Sequence, residues 1–279
     1  MKRFLTLALF IVLAALAEKP VFVATLKPYG LLLSQLVGET GEVVVLVPPS
    51  ANPHVYEPTP SQVRLVAQAR LVVANGAHPD GWVVEKLIRP NALATPVLWV
   101  ADTVQEELIP TPTGPDPHVW VDPLLMAKAV PALVAALERV DPAHGVLYRT
   151  RGHWLQAELL KLDREVRALL GERTRPGVLA LRNPVRYFAR RYSIPILYTV
   201  VPNPEAPEAS ARAVAEARRI AQEKQIRYLL APLATRTQAL PLGRNLGLEV
   251  IFLDILGEEA SSYPGLVRQI ATGFAQALR

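Results

Sequence analysis

Asn52-Pro53-His54-Val55-Tyr56-Glu57-Pro58-Thr59-Pro60-Ser61 lies between an apolar run, Val43-Val44-Val45-Leu46-Val47, and an amphipathic run carrying Val63, Leu65, Val66 and Ala69. The order strand, stiff loop, helix follows from the residue types. Thr59 is a good N-cap, Pro60 stands at the first helical position where no N–H is needed, and Gln62 completes a capping box. His54 is therefore held among prolines at the carboxyl end of a strand. In open α/β sheets ligands bind at such ends.

The same alternation runs outward in both directions. Short apolar runs predict strands over 21–26, 43–47, 71–74 and 97–100, separated by helical segments at 31–36, from Pro60, and at 82–88. A breaker-rich loop over 109–117 leads to His118, and Asp122-Pro123 opens a helix running to about Val140. Asp141-Pro142 repeats that start signal. The longest helical pattern, 142–170, closes at Gly171. It would span roughly 40 Å at 1.5 Å per residue, a domain's width. Beyond it strands are predicted at 177–181, 194–199, 226–230 and 249–253, with helices at 184–192, 209–224, 235–246 and 263–278. The expectation is an α/β chain: two Rossmann-like lobes with parallel sheets, 18–141 and 172–279, joined by one long rigid helix over 142–171. No sequence repeat relates the halves.

Residues 1–17 have a different character. Lys2-Arg3, an apolar run from Phe4 to Leu13 and Ala15-Leu16-Ala17 form the pattern of a secretory signal peptide cut after Ala17. Cysteine is absent, so there is no disulfide, no thiolate metal site and no cysteine for lipid attachment. The expected product is exported, periplasmic or extracytoplasmic, soluble and monomeric. Its formal charge would be +3, from 28 basic and 25 acidic residues, once Lys2 and Arg3 leave a chain of +5. That mild balance lacks the basic stripe and stacking aromatics that nucleic acid requires. The one basic cluster, Arg186, Arg190 and Arg191, is expected to be a solvated helix face.

Of five histidines, His144 and His153 fall in the long helix and suggest surface or packing roles. His54 and His118 share a context: each follows a proline at a loop end and precedes a proline-started helix. Two such histidines in one lobe can meet at one cleft, where neutral imidazole ligates zinc, manganese or iron. From pattern alone, satisfied loop histidines are an equal alternative. Tyr56, Glu57 and Asp122 are near enough in sequence to orient the imidazoles, although Asp122 is equally explained as an N-cap.

Pro53-His54-Val55-Tyr56-Glu57-Pro58-Thr59-Pro60-Ser61 and Asp116-Pro117-His118-Val119-Trp120-Val121-Asp122-Pro123 resemble the two signatures of the zinc/manganese-binding solute-binding proteins of ABC importers. Asn75-Gly76 with Trp82 and Lys86-Leu87-Ile88 resembles a turn and helix of that family. So do the helix Tyr187-Phe188-Ala189-Arg190-Arg191-Tyr192 and the segment Leu253-Asp254-Ile255-Leu256-Gly257, with Ser193 and Ile255 departing from its pattern. The resemblance implies two lobes with one metal ion, Zn2+ or Mn2+, in the cleft as transported ligand. It implies a membrane permease that receives the metal, and no enzymatic activity. Carried over by position, the ligands are His54, His118 and Asp254. The family's further ligand, His or Glu, falls at Arg182, which has no lone pair to give.

Three arrangements stay open. Water completes the site; or His78, on the turn after the third strand, joins it; or Arg182 pairs with Asp254 or Glu57 and excludes the metal. The last would leave a paralogue that binds an anion or a metal chelate, or serves as an adhesin or interaction protein. A metal-dependent hydrolase is a third reading, for which no residue near the motifs stands out as general base.

Overall fold

The structure, a computed structural model, describes residues 19–77, 81–202, 206 and 208–279. The segment read as a signal peptide and His78 lie outside the described residues. Four strands, β1 (Val21–Ala24), β2 (Glu42–Val45), β3 (Leu71–Ala74) and β4 (Val97–Trp99), form a parallel sheet in the order β2-β1-β3-β4. A small antiparallel hairpin, β5 (Pro110–Thr111) and β6 (Gly114–Pro115), closes the loop that sequence reading left irregular. The second sheet contains β7 (Val178–Ala180), β8 (Ile196–Thr199), β9 (Tyr228–Pro232) and β10 (Glu249–Leu253), all parallel, in the order β10-β9-β7-β8. Numbered within its own lobe, each sheet runs 2-1-3-4. The lobes thus repeat a topology that their sequences do not repeat.

The helices in chain order are α1 (Lys27–Val37), α2 (Pro60–Gln68), α3 (Pro123–Val140), α4 (Gly145–Leu169), α5 (Arg186–Arg191), α6 (Ala211–Glu223), α7 (Arg236–Leu246) and α8 (Tyr263–Leu278). α1 begins four residues before the predicted start because Pro28 sits in its first turn, the position that tolerates a missing N–H. α2 carries the predicted capping box: the Thr59 hydroxyl accepts from the Gln62 N–H, and the Gln62 side chain accepts from the Thr59 N–H. The segment predicted as a helix at 82–88 is a π-helical turn, Val83–Ile88.

α4 joins the lobes, packing against α1 and α3 of the first lobe and α8 of the second. Gly152 allows the approach to α3, since a Cβ there would lie 2.5 Å from a Val134 methyl. Pro131 lies inside α3 and cannot bond the Ala127 carbonyl one turn earlier. Gln156 of α4 donates to that carbonyl at 3.0 Å. The junction itself corrects one expectation. Asp141 does not cap the next helix; its carboxylate accepts from Tyr148 Oη at 2.5 Å and lies 2.8 Å from His144 Nδ1. With its side chain turned to those rings, the chain enters α4 through a 3-10 turn, Pro142–His144.

The basic cluster on α5 corrects another. Its guanidinium groups, although Arg190 stays exposed, reach across to the first lobe. Arg190 donates to the Glu107 carbonyl at 2.8 Å, Arg191 holds both oxygens of Asp122 at 3.0 and 2.9 Å, and Arg186 Nε lies 3.6 Å from Asp116. Phe188 stacks on Phe274 at 4.9 Å and anchors the same short helix in the second lobe. One apolar core runs continuously from β1 and α1 through α3 and α4 to α8.

Candidate metal centre

The His54 loop leaves β2 and the His118 loop follows β4, the two edges of the first sheet. Edge strands in a four-stranded sheet stand about 14 Å apart. The ring centroids of His54 and His118 are only 6.2 Å apart, so both loops reach inward from opposite edges.

The Asn52 side chain accepts from the His54 N–H at 3.0 Å, and Trp82 Nε1 donates to the Pro53 carbonyl at 3.1 Å. His54 is exposed, and no side chain among the described residues hydrogen-bonds its ring. Its pKa is held below the usual histidine value, chiefly by desolvation and then by nearby His118, with Asp116 opposing. A neutral imidazole keeps the lone pair that a metal needs.

His118 is fixed more firmly. Its Nδ1 lies 2.7 Å from Asp116 Oδ1, and the same oxygen accepts from the His118 backbone N–H at 3.0 Å. Asp116 is 4% exposed. Burial pushes its carboxyl up, but hydrogen bonds from His118 and the charges of His118 and Arg186 hold it below the ordinary value. An ionised carboxylate only accepts. Nδ1 of His118 therefore donates to it, and in the neutral ring Nε2 carries the lone pair. Tyr56, Glu57 and Asp122 are near enough in sequence to take this orienting role, with capping an equal account of Asp122. The structure puts them elsewhere: Tyr56 bonds the Leu46 carbonyl, Glu57 pairs with Lys86, and Asp122 caps α3 while pairing with Arg191. The signal for Asp116 was its position two residues before a histidine, a spacing that lets one carboxylate meet both the backbone and the ring.

Asp254 follows β10 and is 9% exposed. Its Oδ1 accepts from the backbone N–H groups of Gly257 and Glu258, and its Oδ2 from Glu259, at 2.8–2.9 Å. A carboxylate offers about four lone-pair sites, so one remains for a cation. Trp120 ties this loop to the first lobe. Its Nε1 donates to the Ile255 carbonyl at 2.7 Å, while its ring lies 5.2 Å from that of His118. Among the described residues, no three His, Cys, Asp or Glu side chains are grouped so as to hold a metal ion. Arg182 follows β7 and lines a cleft with Val185, Ala231, Leu253 and Ile255. It donates to the Ala206 carbonyl at 2.6 Å and reaches Gln238 at 3.5 Å. It is not ion-paired with Asp254 or Glu57, the partners that sequence reading offered. Two strand spacings, about 10 Å, separate the ends of β7 and β10.

Two like-ordered parallel sheets, one long connecting helix and ligand-type side chains at strand ends define a two-lobe solute-binding protein. The chain belongs to the family described as zinc-uptake complex component A, periplasmic (ZnuA), whose model matches residues 22–277. That family serves uptake and is not one of enzymes. The high-affinity zinc uptake system protein ZnuA of Bacillus subtilis is 25% identical over 84% of this chain and 77% of its own length. The manganese-binding lipoprotein MntA of Halalkalibacterium halodurans is 28% identical over 58% of this chain, little more than half (54%) of its own length. A crystal structure of ZnuA shares the fold with a TM-score of 0.84 at 23% identity, covering 94% of this chain and 100% of that one. No helix among the described residues is long and apolar enough to cross a membrane.

Proposed function

We propose that this chain captures a divalent transition metal, zinc or manganese, in the cleft between its lobes and delivers it to the permease of an ABC importer. In this reading residues 1–17 direct export to the periplasmic or extracytoplasmic side, where 18–141 and 172–279 act as the two lobes of a monomer about the connecting segment 142–171. His54 and His118 are the ligands from the first lobe, Asp254 is the ligand from the second, and water completes the shell. Two imidazoles and a carboxylate suit both metals. The observation that carries the reading is the His54–His118 pair, with Asp116 accepting from the His118 Nδ1.

Calorimetric titration of the mature protein with zinc and with manganese tests it. One saturable site is expected, lost in His118→Ala. Absence of binding by wild type would sink the proposal. An alternative reading follows from the identity of Arg182, which stands where the resembled family carries a further ligand: a guanidinium there would suit an anion or anionic chelate instead of a metal. Metal binding that appears only in Arg182→His would support that alternative.

A further inference from the structure

The second lobe offers one ligand candidate, yet it grips the first lobe's histidine loop at several points. Tyr187 Oη donates to the Asp116 carbonyl at 2.7 Å and accepts from the Ile109 N–H at 3.0 Å, so it holds both ends of the β5–β6 hairpin. The neighbouring Arg186 brings its guanidinium to 3.6 Å from Asp116 Oδ2. The two carboxylate oxygens are thus divided: Oδ1 serves His118 in the first lobe, and Oδ2 faces a cation of the second. Asp116 is nearly inaccessible to water, so its orientation is set by these protein groups.

We propose that Asp116 and Arg186 are positioning residues through which the second lobe sets the tautomer and basicity of His118. This rests on the reading of His118 as a metal ligand. Asp116 holds the proton on Nδ1, the tautomer that free histidine disfavours, and keeps Nε2 available. A carboxylate behind an imidazole raises its basicity toward a metal, and removing such partners weakens affinity about 10- to 100-fold. Arg186, facing the other oxygen at 3.6 Å, keeps that carboxylate turned toward the ring. The second lobe therefore acts on a ligand it does not carry.

The test uses nitrogen-15 NMR of the His118 ring in the metal-free protein, with zinc affinity measured by chelator competition. Wild type is expected in the Nδ1–H form. Asp116→Ala is expected to shift toward Nε2–H and to bind zinc about 10- to 100-fold more weakly. Asp116→Asn, which keeps the shape and the acceptor oxygen should Asp116→Ala not fold, is expected to retain the tautomer but lose affinity with the charge. Arg186→Gln is expected to retain the tautomer and weaken zinc about two- to fivefold, with Arg186→Lys restoring it. An Nε2–H ring in wild type would overturn the proposal. So would Asp116 variants with unchanged tautomer and unchanged affinity. A wild type that binds no zinc yet holds the Nδ1–H form, lost in Asp116→Ala, would sink the metal reading while supporting the positioning role.

Discussion

His54 and His118 face each other across 6.2 Å, yet their loops are held in opposite ways. Among the described residues, the His54 loop is tied to its own lobe, through Asn52, Trp82 and the capping box of α2. The His118 loop is clasped by the other lobe at Asp116, Trp120 and Asp122. Tyr187 and Arg186 hold Asp116, Ile255 accepts from the Trp120 ring, Tyr263 donates to the Trp120 carbonyl, and Arg191 holds Asp122. The first loop can adapt without disturbing the core, whereas the second cannot move without breaking the interface between lobes. Metal capture would then draw His54 toward a fixed His118 rather than close one lobe upon the other.

The clasp should give the largest effects. Asp122 is fully buried and paired with Arg191. Arg191→Leu leaves that carboxylate unpaired and is expected to lower stability by about 3–5 kcal/mol near neutral pH in urea unfolding. The loss should shrink in acid. Burial raises the Asp122 pKa in the folded state even against Arg191. The folded protein therefore binds this proton more tightly than the unfolded chain, and Asp122's stabilising contribution is lost as pH rises through the folded value. Without Arg191 that dependence steepens, so a penalty that stays constant from neutral pH to pH 4 would break the clasp account. Trp120→Phe removes one buried hydrogen bond and some ring volume. It is expected to cost about 1–3 kcal/mol in thermal unfolding, with increased amide exchange at Ile255.

The His54 side should be quieter. Thr59→Ala removes the cap of α2 and is expected to cost about 1 kcal/mol, read as faster exchange confined to that helix. His54→Ala is expected to change stability by no more than about 0.5 kcal/mol while abolishing zinc binding in the same titration. A large stability loss there would show that this loop, too, belongs to the core.

The parts legible in the sequence are those set by neighbours in the chain. Thr59 with Gln62, and Asp122 with Pro123, announce their helices because cap and capped groups lie within three residues. His54 and His118 stood out through the prolines beside them, and the strands through their apolar runs. What stayed hidden depends on partners far along the chain. Arg191 lies 69 residues from Asp122, and nothing in a short basic helix reveals that its charges face another lobe. Asp141 carried the same local signal as Asp122 but was claimed by Tyr148, seven residues on. The shared strand order of the lobes was hidden because topology constrains where apolar runs occur, not which residues fill them.

Hydrogen exchange with and without zinc tests most directly the contrast between the two histidines. Zinc is expected to slow amide exchange over residues 50–58, around His54, while residues 116–122 are already slow without metal and change little. Strong new protection over 116–122 and along α5, with none around His54, would contradict it.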